Sequence, residues 1–229
     1  RGIAQGIRGV FATKESIFTA SVDKSLYCLN WSGKPEWNFC HEDWVLFTSA
    51  GLLSNTNQIN VFAGTEDGFV LAFDDSGLLI WKIKLKERVR ALSVCESYNG
   101  ESFLIAGSDD NKVYIINERG EIINSFYTPH YVLVVKACDI DNDGKIEILT
   151  GNENGHLHVY NFCGELLWRF ETESWVAALD VFKNKENGEV EIVIGSQDNN
   201  IYVLNKYGAL LWQYEANARV RTISVDGES

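Results

Sequence analysis

The chain has 229 residues, 45% of them hydrophobic, and a formal net charge of −12 from 32 acidic and 20 basic residues. That balance, with no basic stripe, argues against a nucleic-acid partner, which would need clustered Lys and Arg to neutralise phosphates. No apolar run approaches the roughly 18 residues of a membrane helix, and residues 1–10 lack the charged-then-apolar layout of a signal peptide, so no membrane insertion is expected.

In chain order, Ile7–Ala12 reads as a first inner strand, Ala20-Ser21-Val22-Asp23 as a turn and Leu26–Leu29 as a strand. A turn closing at Gly33 and an outer strand ending on Trp37 complete the unit. The unit then returns. Its turn recurs as Gly64-Thr65-Glu66-Asp67, Gly107-Ser108-Asp109-Asp110, Gly151-Asn152-Glu153-Asn154 and Gly195-Ser196-Gln197-Asp198, at spacings of 44, 43, 44 and 44 residues. Its closing glycine recurs as Gly77, Gly120, Gly164 and Gly208. Its outer-strand tryptophan recurs as Trp81, Trp168 and Trp212, with Asn124 in the third copy. Four short alternating strands per period of about 44 residues predict one blade of an all-β propeller.

We therefore expect a single domain over 1–229 of four-stranded antiparallel blades, at about 1–42, 43–86, 87–129, 130–173 and 174–218. Residues 219–229 form an extra or closing strand. That strand either fastens a five-bladed ring or opens a longer propeller of six to eight blades. The chain contains no Met and reads as a processed product or an excerpt. The tryptophans are expected to pack between blades, and Asn124 marks the weakest junction.

The run from Gly195 to Trp212 (GSQDNNIYVLNKYGALLW) resembles the repeat of quinoprotein-like (pyrroloquinoline-quinone-like) propellers. The loop Asp139-Ile140-Asp141-Asn142-Asp143-Gly144 resembles the calcium loops of FG-GAP repeats. The first resemblance implies a quinone held between a Trp floor and a disulfide of adjacent cysteines, with Ca²⁺ and a catalytic carboxylate. No two of Cys28, Cys40, Cys95, Cys138 and Cys163 are adjacent, and the chain is short of that family's usual eight blades. No pyrroloquinoline quinone and no catalytic residue are therefore expected.

Two constellations carry chemistry. Asp139, Asp141 and Asp143 alternate in a tight loop, and Lys145 (through its backbone carbonyl) and Glu147 complete an oxygen set suited to a structural Ca²⁺. The alternative is a solvated acidic turn capping its own backbone. Aligning the inner strands places Trp44, Arg88, Tyr131, Trp175 and Arg219 around one mouth of the central channel. Leu46, Arg90, Leu133, Ala177 and Arg221 lie two positions on, joined by Arg8. Trp, Tyr and Arg are enriched in binding hot spots, and this mouth is suited to an acidic peptide or a small anion. The alternative is that the arginines pair with blade carboxylates.

The leading functional reading is a non-catalytic scaffold for protein–protein interaction, a subunit or module of a larger assembly. The alternatives are a calcium-stabilised extracellular adhesion or ligand-binding module and the body of a quinoprotein enzyme. Five cysteines without a C-x-x-C pair are read as free, mostly buried thiols of a cytoplasmic protein; the calcium reading places it outside the cell or in the periplasm.

Overall fold

In a computed structural model that describes residues 6–52, 59–97, 99–185 and 187–225, the repeat becomes five four-stranded sheets. Blade one is β1 (Ile7–Ala12), β2 (Ser16–Ser21), β3 (Ser25–Asn30) and β4 (Pro35–Cys40). Blade two is β5 (Val45–Leu52), β6 (Ile59–Thr65), β7 (Phe69–Phe73) and β8 (Leu79–Lys84). Blade three is β9 (Val89–Glu96), β10 (Ser102–Ser108), β11 (Lys112–Ile116) and β12 (Ile122–Tyr127). Blade four is β13 (Val132–Cys138), β14 (Glu147–Asn152), β15 (His156–Asn161) and β16 (Leu166–Glu171). Blade five is β17 (Val176–Lys183), β18 (Val190–Ser196), β19 (Asn200–Asn205) and β20 (Leu210–Glu215). Each blade is an antiparallel meander in chain order, and the described residues contain no helix. The all-β propeller expected from the period is the observed fold.

The second and third strands of each blade are buried on both faces, which explains why they read as apolar runs. Their side chains meet those of the next blade, so the apolar clusters lie between blades. Phe18 and Leu26 pack with Val61 and Phe73 at the first junction. Phe62 packs with Leu104 at the second, Ile105 with Ile148 at the third, and Leu149 with Ile192 at the fourth. Burying each such side chain contributes about 1.5–3 kcal/mol.

The tryptophans hold these junctions from the outside. The ring of Trp37 lies so close to Gly77 that an added Cβ would sit 2.6 Å from it, and Gly77 has a φ of +85°. Trp37 Nε1–H also donates to the carbonyl of Asp75 at 3.0 Å. Trp81 repeats both contacts, with Gly120 and with Glu118 O. The third junction, expected to be weakest, divides the task between two residues. Asn124 Nδ2–H donates to Phe162 O at 3.2 Å, and the Phe126 ring covers Gly164.

Two expectations need correction. The tryptophans are the third residues of their six-residue outer strands, not the last. Among the described residues, 219–225 form no strand and β1 pairs with β2 alone, so no strand over 219–225 fastens a five-bladed ring. Residues 226–229 of the expected segment lie outside the described residues. The segment does dock as an inner strand would. Val220 N–H donates to Ser196 O at 3.1 Å, and its side chain faces Gly195 as Val89 faces Gly64. It lacks the strand partner that makes β5, β9, β13 and β17 regular.

Candidate functional site

Each inner strand carries one irregularity near its start, and it organises the channel mouth. The ladder between first and second strands skips a residue between Ile7 and Gly9, between Val45 and Phe47, between Val132 and Val134, and between Val176 and Ala178. In blade three, Val89 pairs with Ser108 while Ala91 pairs with Gly107, so Arg90 is skipped. The skipped residues are Arg8, Leu46, Arg90, Leu133 and Ala177. A bulge adds an unpaired residue and re-aims its side chain. Here all five, with Arg221 and with Trp44, Phe47, Glu66 and Arg88, line one cavity of about 330 Å³.

The preceding tier is held by its backbone. The carbonyls of Trp44, Arg88 and Trp175 accept N–H bonds from Glu66, Asp109 and Gln197 at 2.9–3.1 Å. Trp44, Tyr131 and Trp175 are all 40–43% exposed, as equivalent positions should be. Of the expected tier, Trp44 and Arg88 reach the cavity. Tyr131 lines a neighbouring depression with Lys86, Asp109 and Asn111. Trp175 lines neither the rim cavity nor that depression, and Arg219 is solvent-exposed.

The arginines fall into two pairs. Arg88 Nε lies 2.5 Å from Asp109 and its Nη1 3.2 Å from Glu66, while Arg90 Nε also contacts Asp109. These two are paired to blade carboxylates, the bland alternative for the mouth. Arg8 and Arg221 make no ion pair with a carboxylate among the described residues. An acidic chain thus presents a local excess of guanidinium at the rim of its channel.

Deeper in, a second cavity of about 310 Å³ is lined by Phe11, Phe47, Ser93, Lys136, Asp180 and Ile223, among others. Lys136 Nζ lies 2.7 Å from Asp180 Oδ1, and Asp180 Oδ2 accepts the Val225 N–H at 3.0 Å. Sequence reasoning missed this pair. Its signal was available, because Lys136 and Asp180 hold the same register position one period apart. Also missed were the Tyr27–Asp23, Tyr114–Asp110 and Tyr202–Asp198 hydrogen bonds, which recur as Asp-x-x-x-Tyr. The aspartates also accept local N–H bonds, as turn chemistry requires (Ser25 to Asp23, Asn200 to Asp198).

The acidic loop connects β13 to β14. Asp139, Asp141 and Glu147 each bring a carboxylate oxygen within 4.8 Å of the others. Asn142 and Gly144 adopt φ of +63° and +86°, which curl the loop inward. The N–H groups of Asp143 and Gly144 donate to Asp139, and Ile140 N–H donates to Glu147 at 3.0 Å. Glu147 is only 5% exposed. Burial pushes its carboxyl up to about 7, the Ile140 bond pulls the other way, and Asp141 and Asp139 push it further up. Asp143 does not join the cluster; it accepts from the backbone N–H of Lys145 and pairs with its Nζ at 2.8 Å. Three clustered carboxylates, one of them buried, fit a hard divalent cation.

The thiols differ from the expectation of mostly buried groups. Cys28 and Cys95 are buried, Cys138 is intermediate, and Cys40 and Cys163 are exposed; all five are free.

Residues 132–219 match the sequence profile of the lambda-carrageenase beta-propeller domain. A lambda-carrageenase of Pseudoalteromonas sp is 23% identical over 137 residues. That alignment takes in 57% of this chain and 14% of the relative, so the chain spans about a seventh of that protein's length. The crystal structure of the computationally designed Ika8 protein superposes with a TM-score of 0.76 at 17% identity, over 98% of this chain and 67% of that one. This last likeness is one of fold.

Proposed function

We propose that the chain is a non-catalytic propeller segment that serves as a protein-binding platform in a larger assembly. Its rim of Arg8, Arg88, Arg90 and Arg221 takes an acidic segment of the partner. The observation that carries this reading is the convergence of four arginines, two of them without a carboxylate partner among the described residues, on one cavity of an acidic chain. The guanidinium groups of Arg8 and Arg221, in the cavity that Trp44 also lines, offer bidentate contacts to a carboxylate-bearing peptide. Free thiols agree with a cytoplasmic setting for such a subunit. The test is titration with a poly-glutamate peptide, read by Trp44 fluorescence. Binding that weakens about tenfold in the Arg8→Glu/Arg221→Glu double variant supports the reading. Equal binding by the native and variant proteins rejects it.

A second reading is favoured by the profile match: a propeller domain attached to an enzyme that acts on an anionic polysaccharide. The match runs from 132 to 219, after Arg90 and before Arg221, so it does not reach the arginines of the rim. Tighter binding of a carrageenan oligosaccharide than of the peptide would favour this reading over the first. On either reading, we assign Asp139, Asp141 and Glu147 to a structural Ca²⁺, in keeping with the resemblance of their loop to the calcium loops of FG-GAP repeats.

A further inference from the structure

Inside the molecule, every blade junction is made of the same two halves. One half is the second-strand glycine or alanine and the outer-strand ring of the leading blade. The other half is the first residue of the next inner strand and the next closing glycine. Val45, Val89, Val132 and Val176 occupy the inner-strand position and are at most 1% exposed. Gly77, Gly120, Gly164 and Gly208 occupy the turn, and each lies against an aromatic ring of the preceding blade.

Blade one offers the second half to no neighbour among the described residues. Ile7, at the valine position, is 47% exposed, and an added Cβ on Gly33 would meet nothing within 4 Å. Blade five offers the first half in the same way. Trp212 is 51% exposed and Tyr214 is exposed as well, whereas Trp168 and Phe170 at the same positions of blade four are half-buried. Only its inner part is covered, by Val220 and Ile223 against Gly195. No apolar cluster joins blades one and five among the described residues.

We infer that the bare faces of blades one and five are the two halves of an unmade junction, and that their occupant is a run of two or three further blades of this same repeat that closes the ring. The chemistry of the occupant follows from the made junctions. The blade docking on Trp212 carries a glycine at its third turn and accepts the indole N–H on a turn carbonyl. The blade docking on Ile7 presents an outer-strand ring to Gly33. The size of the gap follows from the superposition, in which the five blades match 67% of the designed protein's chain. That share places a full ring at about seven or eight blades, within the range of about 4–8 seen in propellers. A second copy of this chain would bring the total to about ten and overfill that range.

The test extends the chain after residue 218 with a second copy of its own residues 87–218, which supplies three blades with these junction residues. Trp212 emission is expected to shift to the blue, dye binding to exposed apolar surface to fall, and the melting temperature to rise by about 5 °C or more. Unchanged Trp212 emission and melting temperature in a folded extended protein overturn the inference. The unextended protein gives a second measurement. Ile7→Lys and Trp212→Lys should leave its melting temperature within about 2 °C, whereas Val89→Lys should unfold it. A large loss from either terminal substitution means that those faces are already covered. Sedimentation as a dimer that Trp212→Lys dissociates would identify a second copy as the occupant, and either result also overturns the inference.

Discussion

The acidic loop of blade four and the arginine rim of the channel are built on opposite plans. The loop draws its carboxylates from nine consecutive residues and fixes them with its own N–H groups. The rim draws Arg8 from blade one, Arg88 and Arg90 from blade three and Arg221 from the segment after blade five, and bulges in the inner strands aim Arg8 and Arg90 into the cavity. A local site of the first kind keeps its geometry when its neighbours change but must carry the cost of crowding like charges. A distributed site of the second kind spreads its charges, and its geometry is only as good as the ring. The difference can be tested from the loop's side and from the rim's.

The largest expected effect is the pH dependence of the crowded loop. The folded-state pKa of Glu147, about 7, lies above its ordinary 4.5. Its contribution to stability is therefore whole below pH 4.5 and lost as pH rises to 7, on the order of 3 kcal/mol for a shift of that size. His158 on β15 has the opposite sign. Burial and the neighbouring His156 hold it down at about 4, so its contribution is whole above pH 6.5 and lost as pH falls to 4. In metal-free protein the two slopes oppose each other. Denaturant titrations should show Glu147→Gln losing stability on acidification from pH 6.5 to 4. His158→Tyr, the residue type of blades one, three and five, should lose stability as pH rises from 4.5 to 7. A flat profile in both variants would mean that neither group is shifted.

Calcium is the next largest lever on the same loop. Ca²⁺ at a hundred times its dissociation constant should stabilise the protein by about 2.7 kcal/mol, or about 5–10 °C in melting temperature. Asp141→Asn should abolish most of that rise. Binding of acidic peptide at the rim should not change, because no carboxylate of the loop lines the rim cavity. A melting temperature indifferent to both Ca²⁺ and chelator removes the metal from the loop and leaves a capped turn.

The two plans also differ in how far a sequence shows them. The period of about 44 residues gave the blades, and the D-x-D-x-D spacing gave the loop, because both are written in adjacent residues. Asp143 is the exception, and its reason is local as well: Lys145, two residues on, pairs with it. The rim was legible only through symmetry. Alignment of the copies brought Arg8, Leu46, Arg90, Leu133, Ala177 and Arg221 to one level. The bulge that turns the first five inward has no sequence signal, since the bulged residues range from Arg to Ala. Nor could spacing show that Asp109 would bind both Arg88 and Arg90, because Asp109, just past the end of β10, reaches across to the start of β9. The missing strand over 219–225 has the same origin. Its residues match the inner-strand pattern, but a pattern does not supply the partner strand.

The smallest expected effects separate the two arginine pairs within the rim. Arg8→Ala and Arg221→Ala should change stability by less than about 0.5 kcal/mol, since neither breaks an ion pair with a described carboxylate. Arg88→Ala should cost about 1 kcal/mol, because Asp109 and Glu66 lose a shared partner while Arg90 still serves Asp109. For peptide affinity the order reverses. Arg8 and Arg221 should account for most of the roughly tenfold loss, and Arg88→Ala for less than about threefold, because its guanidinium is already engaged. An Arg88 variant that loses binding while keeping its stability would place the anion on the paired side of the channel, over Asp109.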